Sequence, residues 1–257
     1  MRLRYIKTGW AMTIRELLRS RIVIILIFLI PTLFYALIAL TTPRRIIPFK
    51  LASVSGEPVV EVSMRDESLV FIGLAAVGFI VSFLAMSLIQ KQTEAHRRLI
   101  LCGYRPMELV VSKLAVLLCV IVLISLFVAA MLPLFFRPDR FALVFLGFAL
   151  GGFVYGCYGL LVGALCKREL EGILFIVLLS NIDVGWLQNP TFYADAQNTA
   201  IIRYLPAYFP SQMSMVAAFT KHSITNSLIG SLLYGSAFLI VSVLIFWWKM
   251  RIGKQRG

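Results

Sequence analysis

Few residues of this chain could carry out chemistry, and their positions do not converge on one site. The two histidines, His96 and His222, lie far apart in the sequence, and no HExxH motif is present. A metal site needs three or four ligands that can meet, and an intramembrane serine protease needs a histidine at the depth of its serine. The four cysteines form no CxxC pair, so neither structural zinc nor disulfide bonds are expected. We therefore expect no catalytic, cofactor-binding or metal-binding residues.

ATP chemistry is not expected on this chain either. The sequence contains no GxxxxGK[ST] phosphate loop, the motif whose backbone amides and lysine hold the phosphates of ATP. We therefore expect that the chain is not an enzyme. The chain is not expected to bind and hydrolyse ATP by this motif.

One acidic residue stands out because of where it lies. Asp183, within the stretch SNIDVGW, is the exceptional ionisable residue inside an apolar run. A carboxylate inside a bilayer is costly and indicates function by default, so Asp183 and Asn181 could belong to a substrate path or a gate. The alternative interpretation is a solvated helix end, or a hydrogen-bonded contact between these two side chains.

The composition requires a membrane around these residues. The chain of 257 residues is 60% hydrophobic and 14% charged, whereas soluble domains have about 45–50% apolar and about 25% charged residues. Its net charge of +13 could indicate nucleic-acid binding. However, the charges cluster at the ends of apolar runs instead of forming a basic face, so nucleic acid is not expected as a partner.

Six apolar runs are long enough to span a bilayer as helices, which takes about 20 residues. The sequence therefore predicts an all-α membrane protein that forms a single transmembrane domain over residues 1–257. The predicted spans are 22–40, 69–90, 114–136, 141–165, 170–187 and 227–248. The fourth span is rich in glycine at small-xxx-small spacing, which favours close helix packing.

The positive charges predict the orientation of the spans. Both termini, the segment 91–113 and the CKREL turn lie on one side of the predicted bundle and contain seventeen of the chain's 25 Lys and Arg residues. The positive-inside rule places this side in the cytoplasm. We therefore expect a multi-pass protein of the cytoplasmic membrane with both termini inside.

The segments outside the spans have their own patterns. Residues 1–21 place apolar and basic residues at helical spacing, which predicts an amphipathic helix in the membrane surface with Trp10, Arg15 and Arg19 facing lipid headgroups. The run KLASVSGEPVVEVSM predicts a small β-hairpin on the outer side. Residues 188–226 are rich in Pro and aromatic residues and predict short re-entrant helices, interrupted at Pro206 and Pro210.

The charged segment from Lys91 to Lys113 joins the second and third predicted spans. Pro106 suits the first turn of a new helix, and Glu108 suits its N-terminal dipole. A short helix folded against the inner membrane face, with its charges outward, could be contacted by a cytoplasmic protein. The alternative is an ordinary positively charged loop that fixes the orientation of the spans.

The layout as a whole resembles the permease subunits of ATP-binding-cassette (ABC) transporters of the ABC-2 type. The resemblance covers a basic amphipathic N-terminal helix, six spans, a charged first cytoplasmic loop, and the Leu-Pro element in LPAYFP before the last span. The positions that match the loop pattern of the family are Glu94, Leu99, Leu101, Gly103, Glu108 and Lys113.

This resemblance implies a dimer of permeases, identical or related, with two copies of a separate ATPase subunit. It implies export of an amphiphilic, lipidic or peptide substrate, with membrane lipids as further partners. The loop would be the coupling helix that sits in a groove of the ATPase. The residues expected to contact the ATPase are Glu94, His96, Arg97, Arg98, Leu101, Gly103, Tyr104, Arg105 and Glu108.

Two other classes of function remain as alternatives. A secondary transporter driven by an ion gradient would need buried carboxylates and broken, symmetry-related helices, which the sequence does not indicate. A non-transporting membrane sensor or assembly partner would leave the 91–113 segment without an ATPase. Co-purification of an ATPase separates this second alternative from the transporter.

Overall fold

The chain folds into a bundle of long helices with a small hairpin at one end. The structure is a computed structural model that describes residues 3–51, 53–54, 59–90, 106–166, 168–189, 192–193 and 198–255. Six helices in this part of the chain are long and apolar enough to cross a membrane, which confirms the predicted number of spans. The helices are α1 (Leu3–Arg19), α2 (Arg21–Thr41), α3 (Met64–Gln90), α4 (Pro106–Met131), α5 (Phe141–Leu165), α6 (Glu169–Ser180), α7 (Thr199–Arg203), α8 (Tyr208–Phe219) and α9 (Thr225–Gln255).

The spanning helices agree with the predicted spans except at their ends. The third spanning helix, α4, begins at Pro106 and runs without a break into the membrane-length segment. The fifth, α6, continues as a π-helix over Asn181–Leu187. A π-helix has i→i+5 hydrogen bonds, is rare, and is frequent at functional sites. The polar end of the fifth span is therefore helical.

Helices α3 and α5 form the centre of the bundle, and glycines on α5 let them pack closely. A Cβ atom built on Gly159 would lie 2.2 Å from the carbonyl oxygen of Ser82, and one on Gly163 would lie 3.0 Å from that of Met86. In the most apolar part of each helix, 78% of the residues of α3 are buried in the bundle, compared with 11% of those of α2. The glycine spacing therefore serves helix packing, and α2 lies at the edge of the bundle.

The predicted hairpin exists, but its first strand lies earlier in the chain than expected. Strand β1 (Ile46–Lys50) pairs antiparallel with β2 (Val59–Ser63), with Ile46 opposite Ser63 and Lys50 opposite Val59. The run KLASVS was expected to supply the first strand. The apolar residues of IIPFK supply it instead, and β2 leads directly into α3.

Short helices follow the fifth span, as predicted, but Pro210 does not interrupt them. It lies in the first turn of α8 (Tyr208–Phe219), where a backbone N–H has no partner within the helix, so proline is tolerated. Helix α8 packs against α5, because a Cβ atom built on Gly147 would lie 2.4 Å from Ser214 Oγ. The two helices are antiparallel: Asp139 and Arg140, just before α5, donate backbone hydrogen bonds to carbonyls at the C-terminus of α8.

Candidate functional site

Most of the residues predicted to contact an ATPase lie outside the described residues. They are Glu94, His96, Arg97, Arg98, Leu101, Gly103, Tyr104 and Arg105. Their role therefore stays a prediction. The structure does describe the two helices that this segment joins, α3 and α4, and these meet at its base.

Glu108 is the one described residue of the predicted contact set, and its placement differs from the expectation. It lies in the first turn of α4, and its side chain is 2% exposed. The sequence predicted a separate short helix with its charges facing outward, which is wrong for this residue because the helix continues directly into the bundle. The acidic residue in the first turn still matches the preference of a helix N-terminus for negative charge.

Lys113 ties the two helices together at the base of the segment 91–105. Its side chain is 4% exposed, and its Nζ donates a hydrogen bond to the carbonyl oxygen of Leu88. Leu88 lies in the last turn of α3, where carbonyls have no partner within the helix and where a positive charge is favourable. Lys113 on α4 therefore caps the C-terminus of α3.

The N-terminal helix packs at the same junction. A Cβ atom on Gly9 of α1 would lie 2.9 Å from Ser112 Oγ, so α1 approaches α4 closely one residue before Lys113. Glu16 on α1 also interacts electrostatically with the Lys113 ammonium group. We call the contact of α1, α3 and α4 around Lys113 the junction.

Helix α1 exposes the three residues that the sequence predicts to face lipid headgroups. Trp10 is 39% exposed, and Arg15 and Arg19 are exposed, whereas Thr13 is buried and donates its hydroxyl hydrogen bond to the Gly9 carbonyl. Helix α1 ends at Arg19, and Ser20 separates it from α2. Its position in a membrane surface stays a prediction.

An apolar crevice lies between α2, α3 and α6. Its volume is about 310 Å³, and its walls include Ile27, Phe83 and Ile173. Ser87 and Glu169 line it near the ends of α3 and α6 that face the junction side of the bundle. The crevice therefore combines a long apolar wall with two polar groups near one end, which is the arrangement that an amphiphile would fit.

Asp183 is the centre of a buried polar cluster. Its side chain has no exposed surface, and its Oδ2 accepts hydrogen bonds from Tyr155 Oη at 2.7 Å and from the Ala207 backbone N–H at 2.8 Å. Its Oδ1 accepts a hydrogen bond from Gln188 Nε2 at 3.0 Å, and the same amide group donates to the Ile202 carbonyl at 3.2 Å. Protein donors therefore replace the water that a buried carboxylate would otherwise need.

The position of this cluster corrects the interpretation of Asp183 as a solvated helix end. At 1.5 Å per helical residue, Tyr155 lies about 21 Å along α5 and Asp183 about 21 Å beyond the start of α6. Both therefore lie well inside the bundle. The expected contact with Asn181 is also wrong: Asn181 is exposed, and its side-chain amide donates to the Val177 carbonyl at 2.8 Å.

The Asp183 cluster also holds one end of α8. Ala207 is the N-cap residue of this helix, so the carboxylate accepts one of the backbone donors that a helix N-terminus leaves unpaired and lies where negative charge is favourable. At the other end, Arg140 Nη2 donates to the carbonyl oxygen of Val216 at 3.3 Å and to that of His222 at 2.9 Å. Helix α8 therefore has a negative group at its N-terminus and a positive group at its C-terminus.

The sequence did not point to Tyr155, Gln188 or Ala207 as partners of Asp183. Tyr155 is 28 residues away in the chain, and nothing in local spacing links the two. The weak signal available was a tyrosine within an otherwise glycine-rich span. Among the residues that the structure describes, no group of three His, Cys, Asp or Glu side chains is placed to hold a metal ion.

Comparison with known proteins identifies a transport family. Residues 57–248 match the family model described as "ABC-2 family transporter protein", which covers all but the first of the six spanning helices. No curated protein matches the chain.

Proposed function

The chain belongs to the ABC-2 transporter family, and we propose that it is the transmembrane subunit of an exporter that moves an amphiphilic, lipidic or peptide substrate. The observation that carries this proposal is the family match over residues 57–248, on a chain with six helices of membrane-spanning length. ATP hydrolysis takes place on a separate ATPase subunit, which binds ATP and Mg²⁺. Two permease chains, identical or related, and two ATPase copies form the complete transporter.

In this proposal the ATPase contacts the segment 91–105, and the junction transmits the movement of this segment to the helices. Lys113 joins the two helices at the base of this segment, and α1 packs beside it. A displacement of the segment would therefore act on α3 and α4 together. The charge distribution supports a cytoplasmic location of this side of the bundle, in the cytoplasmic membrane.

The crevice between α2, α3 and α6 supports an amphiphilic or lipidic substrate. Its wall of Ile27, Phe83 and Ile173 fits an acyl chain or an apolar side chain, and Glu169 and Ser87 suit a polar head group. Helix α2 lies at the edge of the bundle, so a substrate could enter from the surrounding lipid. A substitution such as Ile173→Trp would fill the crevice, and it should reduce the lipid that co-purifies with the protein, measured by mass spectrometry.

An ion-driven transporter would need buried carboxylates and broken, symmetry-related helices, and Asp183 is a buried carboxylate. Within the described residues its oxygens accept hydrogen bonds from Tyr155, Gln188 and the Ala207 backbone, so it also links α5 to the start of α8. This arrangement supports a structural role for Asp183 in a transporter that draws its energy from ATP.

The proposal is tested by purification from native membranes. The tagged chain is solubilised in detergent, its bound proteins are identified by mass spectrometry, and ATP hydrolysis is measured. We expect an ATPase with a phosphate loop to co-purify, and we expect Glu94→Ala in the segment 91–105 to reduce its amount. The matched control is Glu61→Ala in strand β2 at the other end of the bundle, where the side chain is exposed. If no ATPase co-purifies with the native chain, the transporter proposal is wrong.

A further inference from the structure

The crevice between α2, α3 and α6 has nearly the depth of one membrane leaflet. Its wall on α3 extends from Ser87 to Phe79, which at 1.5 Å per helical residue is about 12 Å. One leaflet of the hydrocarbon core is about 15 Å thick, because the whole core measures roughly 30 Å. The crevice can therefore accept most of one acyl chain that runs parallel to the helices.

The inner part of the crevice is apolar. Phe79 and Phe83 of α3 lie edge to face, with their ring centroids 4.7 Å apart. Ile27 and Ile30 line the crevice from α2, and Ile173 lines it from α6. Rings and branched side chains attract an acyl chain by dispersion, but they do not distinguish one lipid head group from another.

The polar end of the crevice lies where the three helices end. Ser87 is three residues before the last residue of α3, and Glu169 is the first residue of α6. Val23, at the same end of the crevice, is the third residue of α2. The ends of spanning helices lie near the head-group layer. The head of an amphiphile whose chain fills the crevice would therefore lie beside Glu169.

Glu169 places a negative charge at this end, on the side of the bundle that is otherwise rich in Lys and Arg. Among the described residues that line the crevice, it is the one with a charged side chain. Arg21 precedes Val23 by two residues, Arg168 directly precedes Glu169, and both arginines are exposed. A head with an ammonium group and a phosphate fits this arrangement, because carboxylates bind ammonium groups and guanidinium groups bind phosphates.

We propose that the crevice binds an acyl chain of a phospholipid whose head carries a protonated amine, and that Glu169 selects this head. Glu169 and Ile173 are four residues apart on α6 and lie on the same face of the helix. One helix therefore contributes both to the chain wall and to the head contact. The inference rests on the proposed transport function, because it names the substrate class of that transporter.

The test measures which lipids the chain retains, without ATP or the partner ATPase. The chain is reconstituted in vesicles of equal amounts of phosphatidylethanolamine and phosphatidylglycerol with identical acyl chains, and is then extracted in a mild detergent. Mass spectrometry quantifies the retained lipids. Ile173→Trp fills the crevice, so the lipid that this variant fails to retain is the crevice-bound fraction. In that fraction we expect phosphatidylethanolamine to exceed phosphatidylglycerol about threefold, as one partly exposed charge contact would give.

Two substitutions of Glu169 then test the head contact. Glu169→Gln removes the charge and keeps the size of the side chain, so the ratio of the two lipids should fall to about one. Glu169→Lys reverses the charge, so phosphatidylglycerol should exceed phosphatidylethanolamine about threefold. Glu169 is exposed, so both variants should fold, which gel filtration checks.

The matched controls are Glu171→Gln and Glu171→Lys. Glu171 lies in the same first turn of α6 and is also exposed, but it is not among the residues that line the crevice. These substitutions change the charge of the surface and of the helix N-terminus as the Glu169 variants do. They should leave the lipid ratio unchanged. If Ile173→Trp does not fold, the difference between Glu169→Gln and Glu171→Gln in total retained lipid decides the question.

An unchanged lipid ratio in Glu169→Gln would overturn the proposal, as would an equal change in Glu171→Gln. A crevice-bound fraction of the native chain that is richer in phosphatidylglycerol would also overturn it. None of these results would affect the proposed function, which co-purification of the ATPase tests. Conversely, a chain that selects the amine-bearing lipid but never binds an ATPase would keep the lipid site and reject the transporter.

Discussion

Close packing of α3 against α5 makes Gly159 a site where one methyl group should destabilise the protein. In Gly159→Ala the new Cβ would lie 2.2 Å from the Ser82 carbonyl oxygen and 2.8 Å from its Cα. Both atoms belong to the backbone, so no rotamer change can relieve the overlap. The helices must separate by about 1 Å to reach ordinary contact at roughly 3.4 Å.

The expected cost follows from two opposing effects. Inserting a methylene-sized group into a packed core costs about 1–3 kcal/mol, whereas replacing glycine by alanine in a helix contributes about 0.5–1 kcal/mol of stability. Because the overlap is with backbone atoms, the packing cost should lie in the upper half of its range, about 2–3 kcal/mol, and the net loss in the free energy of unfolding is then about 1–2.5 kcal/mol. At roughly 2–4 °C per kcal/mol for a chain of this size, Tm should fall by roughly 2–10 °C.

The assay is thermal unfolding of the purified protein in detergent, followed by intrinsic tryptophan fluorescence. Gly185→Ala is the matched control, because its Cβ would meet its nearest neighbour, the Ser180 carbonyl oxygen, at an ordinary 3.5 Å. Its Tm should stay the same or rise slightly. An unchanged Tm in Gly159→Ala would refute the close approach of α3 and α5.

Three further substitutions test other contacts. Lys113→Met removes the cap of α3 at Leu88 and should lower the free energy of unfolding by about 1–2 kcal/mol. Lys113→Arg keeps a positive donor and should retain most of the stability. Equal stability of the native protein and the Met variant in denaturant titrations would contradict the cap. Arg140→Met removes the donor to the Val216 carbonyl and should speed up backbone hydrogen exchange at the C-terminus of α8. Unchanged exchange there would show that the guanidinium does not stabilise this end of the helix. Tyr35→Phe removes a buried hydroxyl that donates to a carbonyl of α4 at 3.2 Å and should lower stability by about 1 kcal/mol, so a gain in Tm would exclude that hydrogen bond.

The sequence was sufficient for the spans because each long apolar run is a local property of the chain. The six helices, the glycine seam on α5 and the helical N-terminus all follow from composition and spacing within one segment. The first strand was misplaced because KLASVS and IIPFK are both compatible with a strand. Pairing with Val59–Ser63 selects the second, and pairing is not a local property.

The polar clusters could not be predicted because their members come from distant segments. Asp183 was found as an isolated charge, but its burial depends on Tyr155 from α5 and on Ala207, which lies 24 residues later in the chain. Asp183 lies on a π-helix, which the sequence analysis did not predict. Likewise, Glu108 is buried in the first turn of α4, which runs directly into the bundle. The charged sequence before Glu108 does not predict this burial.

The measurement that tests the central claim most directly is site-specific photo-crosslinking in native membranes. A photoreactive phenylalanine analogue replaces Tyr104 in the segment 91–105, and in a second protein it replaces Tyr204, which is 78% exposed and whose carbonyl accepts a hydrogen bond from Tyr234 within the spanning helix α9. The account predicts that position 104 crosslinks to a subunit with a phosphate loop and that position 204 does not. A crosslink to that subunit from position 204, or none from position 104 in a complex that contains it, would contradict the account.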